Sequence, residues 1–93
     1  SRSIHYMERN IKMKIAKYFS AVWCGPCKAF KPIMKEIQSE GHNVQFIDVD
    51  SSPELAEAHG IRSVPTIVIE ENGAEVDRLV GSLPKAQVLS KLN

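Results

Sequence analysis

The 93-residue chain predicts an α/β sandwich in which a four-stranded mixed sheet is flanked by helices, in the order β-α-β-α-β-β-α. Three observations carry this expectation. Short apolar runs rich in β-branched and aromatic residues alternate with segments of helical period, as in strand-helix-strand units. Asn72-Gly73 then marks a hairpin turn between the last two runs. The composition, 43% hydrophobic and 25% charged, suits one soluble domain with a single core.

Residues 1–12, SRSIHYMERNIK, show no clear period and read as an extension or cloning remnant, which leaves 13–93 as the domain. KIAKYFS, residues 14–20, is short and apolar enough for a strand buried on both faces. Beyond it, Pro26 suits the first turn of a helix, where a missing N–H costs nothing. Phe30, Ile33, Met34 and Ile37 then repeat at helical spacing. Pro32 interrupts the hydrogen-bond ladder of that helix and predicts a kink, and Gly41 suits the left-handed cap after Ser39.

VQFIDVD, residues 44–50, reads as the second strand, parallel to the first through a right-handed crossover. Ser52 and Pro53 supply a cap and first position for a short helix to His59, which Gly60 closes. TIVI, residues 66–69, is the third strand and residues 74–80 its return strand. Gly81 then breaks the chain, and Pro84 opens a last helix with Ala86, Leu89 and Leu92 on one apolar stripe.

No run approaches the roughly 20 apolar residues of a membrane span. The N-terminus shows no secretory pattern, so the expected compartment is the cytoplasm. A net charge of +1 argues against a general nucleic-acid binder. The charge is unevenly distributed: residues 1–42 carry eight Lys or Arg against three acids, and residues 43–93 carry four against eight. Lys28, Lys31 and Lys35 therefore predict either a solvated helix face or an electropositive surface beside the cysteines.

Cys24 and Cys27, in Trp23-Cys24-Gly25-Pro26-Cys27-Lys28, are the only cysteines. At a strand-to-helix junction Cys24 meets unpaired backbone N–H groups and the positive end of the helix dipole. Both favour a thiolate there, and Lys28 adds to the effect. Cys27, one turn further in, is placed to attack a sulfur bonded to Cys24. The pair therefore predicts thiol-disulfide exchange through a mixed disulfide. A static bridge over so short a loop would restrain the unfolded chain little. A zinc site would need further ligands, and His5, His42 and His59 show no ligand spacing to the cysteines. The reading of His42 is loop surface, and that of His59 a helix C-terminal residue.

WCGPCK after an apolar strand, Pro32 five residues beyond Cys27, GIRSVPT before a hairpin, and Gly81 after the return strand together resemble the thioredoxin family from about Lys14 to Leu92. The resemblance implies a thioredoxin-like fold and a redox-active Cys24–Cys27 disulfide with no bound cofactor or metal. It implies that Pro65 is a cis-proline facing the cysteines and that the Val64 backbone pairs with an extended substrate. Trp23, Gly25, Pro26, Ile61 and Gly81 would form the docking surface. The implied partners are a thioredoxin reductase or similar donor and protein disulfides, for a chain acting as a monomer. The Gly-Pro spacer resembles that of reducing members.

The chain departs from the family pattern in two respects. The family buries an aspartate six residues before its first cysteine and a lysine on the next strand; here those places hold Tyr18 and Phe46. Either charge alone would be buried unpaired, so their joint loss is coherent. The proton of Cys27 is then expected to leave through water or Tyr18. The chain also reads as lacking the strand and helix that begin ordinary members, a shortness shared with glutaredoxins and with small viral or archaeal thioredoxins. That keeps a glutathione-dependent reading open, although Ser82-Leu83-Pro84 is not the polar segment expected to hold glutathione. A non-redox interaction subunit is the third reading.

Overall fold

A computed structural model describes residues 14–93, so the reading of residues 1–12 lies outside it. The strands are β1 (Lys14–Ser20), β2 (Asn43–Asp48), β3 (Thr66–Glu71) and β4 (Ala74–Val80). The helices are α1 (Gly25–Ser39), α2 (Pro53–Ala58) and α3 (Lys85–Leu92). They follow one another in the expected order and form one mixed sheet, β2-β1-β3-β4, with β1 parallel to β2 and antiparallel to β3.

Two buried faces explain why β1 is so apolar. Ala16 and Tyr18 point toward α1 and α3, where they join Phe30, Met34, Ile37, Ile67, Ile69, Val88 and Leu92 in the main core. Phe19, the next residue along, is fully buried outside that cluster, with the His59 ring 5.2 Å away. Alternation along the strand thus places Tyr18 and Phe19 under different layers. Burying the large side chains of this core contributes about 1.5–3 kcal/mol each.

Helix α1 runs through Pro32 without a break, with Cys27, Phe30, Met34 and Ile37 buried on one stripe. Lys85 of α3 bridges Glu36 of α1 and Glu40, the residue that caps its C-terminal end. Asn72 and Gly73 both take positive φ, 56° and 83°, the backbone a tight hairpin demands and the reason this pair sits there. A register shift between Ile69 and Glu70 leaves an irregularity just before that turn.

Some boundaries and side-chain placements differ from expectation. Strand β2 ends at Asp48 rather than residue 50, because Asp48 Oδ1 accepts the N–H groups of Asp50 and Ser51 and turns the chain. Strand β3 extends to Glu71, paired on both sides. Ser52 precedes α2 but its side chain makes no capping bond there. The buried residues of α3 are Val88 and Leu92, spaced by one turn, while Ala86 faces solvent. His42 is buried rather than on the surface. His59 does close α2, and its ring is held by the Leu55 carbonyl at 2.8 Å and Glu70 at 3.2 Å.

Candidate active site

The site forms where β1 ends and α1 begins. Cys24 is the N-cap of α1, in extended backbone geometry, and its Sγ accepts the Cys27 N–H at 3.2 Å. A sulfur thus occupies the position in which a serine or aspartate oxygen ordinarily satisfies the orphan donors of a first helical turn. Cys24 and Cys27 are disulfide-bonded, with Cα atoms 5.2 Å apart. They form a small apolar cluster with Ala21, against which Val49 and Val64 pack. Cys24 is 5% exposed and Cys27 2%, which leaves a sliver of Cys24 at the surface and almost none of Cys27.

The Val64–Pro65 peptide bond is cis, Pro65 is buried, and the Val64 carbonyl oxygen lies 3.7 Å from Cys24 Sγ. Thr66 Oγ1 donates to the Ser63 carbonyl at 2.7 Å and closes the turn that presents this peptide. Gly81, at φ 90°, donates its N–H to the Pro65 carbonyl at 2.8 Å. A side chain there would have space but the wrong backbone conformation. Ser82 Oγ reaches the Pro26 carbonyl at 3.4 Å, so the chain after β4 meets α1 as well as the proline turn.

Trp23 stands 67% exposed, and its indole N–H donates to Asp50 Oδ2 at 2.8 Å. With Ile61, Val64, Val49, Ala56 and Arg62 it borders a shallow hollow of about 150 Å³ beside Cys24. Cys24, Cys27, Trp23, Pro26, Ile61, Val64, Pro65 and Gly81 are therefore gathered at one end of the sheet. Exposed Gly25 completes the spacer, and its missing side chain leaves open space toward any partner. Lys28 stands apart from this group, on a larger cleft that opens on the other side of Cys27.

Sequence reasoning missed three contributors. Val22 is 70% exposed beside Trp23. Asp50 anchors the indole, and Asp48 and Asp50 put acidic groups at the cysteine end, which is therefore not simply electropositive. Only the charge pattern of residues 43–93 hinted at them. Tyr18, considered as a route for the Cys27 proton, is fully buried and its Oη donates to the Cys27 carbonyl at 2.9 Å. Desolvation pushes the phenol up to about 12, so it stays neutral and is no base near neutral pH. Among the described residues, no group of three or more His, Cys, Asp or Glu is placed to hold a metal ion.

Comparison with known proteins points the same way as the geometry. The Thioredoxin family model matches residues 6–93. A thioredoxin of Mycoplasma genitalium is 36% identical over 96 residues, covering 99% of this chain and 94% of that protein. The bifunctional thioredoxin reductase/thioredoxin of Mycobacterium leprae is 42% identical over 78 residues, covering 81% of this chain and 17% of that protein. Among solved structures, a mutant thioredoxin from Halobacterium salinarum NRC-1 superposes with a TM-score of 0.82 at 28% identity, covering 99% and 81% of the two chains. These likenesses do not favour the glutaredoxin alternative. A bonded cysteine pair capping a helix opposite a cis-proline, in a chain this similar to thioredoxins along nearly its whole length, makes the protein a member of the thioredoxin family and a thiol-disulfide oxidoreductase.

Proposed function

We propose that the chain reduces disulfides of other proteins, with Cys24 as nucleophile and Cys27 as resolving thiol. The observation that carries the assignment is the capping geometry: Cys24 Sγ accepts an N–H of the first turn of α1, and the same donor would stabilise its thiolate. Cys24 is also the less buried of the two. Its thiolate attacks a substrate disulfide, forming a Cys24–substrate bond and expelling one substrate thiolate. The Cys27 thiolate then attacks Cys24 Sγ, closes the intramolecular disulfide and releases the second substrate sulfur, so two electrons pass to the substrate.

The Val64 carbonyl beside Cys24 suits backbone pairing with an extended substrate segment, and the hollow bordered by Trp23, Ile61 and Val64 suits its apolar side chains. Pro65 holds that carbonyl in place, and the Gly81 N–H ties down the Pro65 carbonyl in turn. Gly25 and Pro26 keep the spacer small, and Lys28 adds positive charge next to Cys27. The redox group is the cysteine pair itself, with no further cofactor. The reductant is a thioredoxin reductase or an equivalent donor, supported by the similarity to the Mycobacterium leprae fusion that carries both activities in its name. No described helix is long and apolar enough to cross a membrane. A monomer working in a reducing cytoplasm is the setting this chemistry fits.

Reduction of insulin, run with NADPH and thioredoxin reductase in one arm and with glutathione and its reductase in the other, tests the reading. Turnover is expected in the first arm. Cys24→Ser abolishes it, and Cys27→Ser accumulates a covalent mixed disulfide with the substrate. Inactivity in both arms, or activity surviving Cys24→Ser, would refute the assignment.

A further inference from the structure

Resolution of the mixed disulfide requires Cys27 to lose a proton, and Tyr18, the side chain bonded to its backbone, does not take it. Tyr18 uses its hydroxyl hydrogen on the Cys27 carbonyl. The other side of Cys27 opens on a cleft of about 370 Å³ between the start of α1 and the end of β2. A water takes about 30 Å³ of liquid volume, so the cleft has room for a chain of several. Cys27, Lys28 and Lys31 of α1, Ser20 of β1, and Phe46 and Asp48 of β2 form its walls. Asp48 is the one carboxylate among the lining residues; the others are cationic, hydroxylic or apolar.

The placement of Asp48 follows from the strand. Phe46 packs edge-on against Tyr18 at 5.7 Å, on the face of the sheet that α1 covers. Asp48, two residues on, shares that face. Its Oδ1 is fixed by the N–H groups of Asp50 at 2.7 Å and Ser51 at 3.1 Å, so the carboxylate is oriented. Lys28 and Lys31 face the cleft from α1, Tyr18 and Ser20 belong to β1, and Asp50 follows in the turn. The two lysines put positive charge on the cleft that a Cys27 thiolate would face.

We propose that Asp48 accepts, through water in this cleft, the proton that Cys27 loses when it resolves the mixed disulfide. The inference rests on Cys27 being the resolving thiol. Cys27 gives its proton to a water, which passes one to the Asp48 carboxylate. The thiolate left behind attacks Cys24 Sγ, the Cys24–substrate bond breaks, and the substrate sulfur leaves with its electron pair. Asp48 then returns the proton to solvent or to that sulfur.

The test is rapid mixing of the reduced protein with an aromatic disulfide that releases a coloured thiolate. A concentration-dependent first phase reports attack by Cys24, and a concentration-independent second phase reports resolution by Cys27. Asp48→Asn keeps an oxygen for the two N–H groups of the turn while removing the base. General-base assistance is commonly worth about 10²–10⁴-fold, so the second phase is expected to slow by at least about tenfold near pH 7, with the first unchanged. The wild-type second phase should be nearly flat from about pH 6 to 8, because the proton passes to a base within the protein rather than to hydroxide in solution. In Asp48→Asn it should rise roughly tenfold per pH unit with the thiolate fraction, and added acetate should partly restore it. A wild-type second phase and pH slope in Asp48→Asn would overturn the proposal, as would equal slowing of both phases, the mark of a structural defect. A wild-type protein that releases only one coloured thiolate per molecule would refute the resolving role of Cys27 itself.

Discussion

At position 18 a phenol fills the place where the family buries a carboxylate, and its chemistry runs the other way: it donates to the Cys27 carbonyl and stays protonated. Tyr18→Phe should cost about 1 kcal/mol of unfolding free energy at neutral pH for the lost hydrogen bond, and leave the pH profile of disulfide exchange unchanged. A second consequence appears in alkali. The folded phenol titrates at about 12, above its ordinary value of 10.0. Its contribution is therefore complete below about pH 10 and is lost as the pH rises through about 12, up to roughly 2–3 kcal/mol. Urea unfolding across that range should show a steeper loss of stability in wild type than in Tyr18→Phe. The replacement at Tyr18 was plain in the sequence, but the carbonyl it serves was not. That partner is a main-chain atom, which no side-chain pattern marks.

Between α2 and β3 the chain must bring Ile61, Val64 and Pro65 to the cysteines, and one side chain from β4 braces it. Arg78 Nη2 donates to the His59 carbonyl at 2.6 Å and Nη1 to the Gly60 carbonyl at 3.3 Å, while Glu75 holds the guanidinium through Nε at 2.8 Å. Lys17 and Glu70 hold the His59 ring from the sheet side. Arg78→Gln removes the fork that spans two carbonyls. We expect it to lower stability by about 1–2 kcal/mol. It should also raise KM for a protein disulfide several-fold, with little change in exchange with a small disulfide that needs no docking surface; steady-state kinetics with both substrates decides this. At this scale the order of elements was legible because strand composition, prolines and Asn72-Gly73 are local signals. Other details depend on tertiary partners. Ser52 carries a capping residue type without a capping bond, and the α3 stripe settles on Val88 and Leu92 because that face meets β1 and α1.

Across the whole molecule, the large core lies under α1 and α3, and the cysteines sit in a separate small cluster with Ala21 at the sheet end. The core should therefore stand without the bridge. A loop of so few residues removes little entropy from the unfolded chain, so the Cys24→Ser, Cys27→Ser double variant should keep its fold and lose at most about 2 kcal/mol. Thermal unfolding of that variant against the oxidised protein measures the difference, and collapse of the fold would show that the bridge carries the structure. The cysteines were legible from their spacing at a strand-to-helix junction, and the proline turn and Gly81 through the family resemblance. The cleft behind Cys27 was not, since Lys28, Ser20 and Asp48 come from three elements and meet only after folding.

The indole of Trp23, exposed and tethered to Asp50, is the only one in the chain and stands next to Cys24. A partner that reaches Cys24 must cover it or displace it from its tether. The protein thus carries a built-in optical reporter: its emission should register each docking event in real time, without a label and without perturbing the thiols being followed.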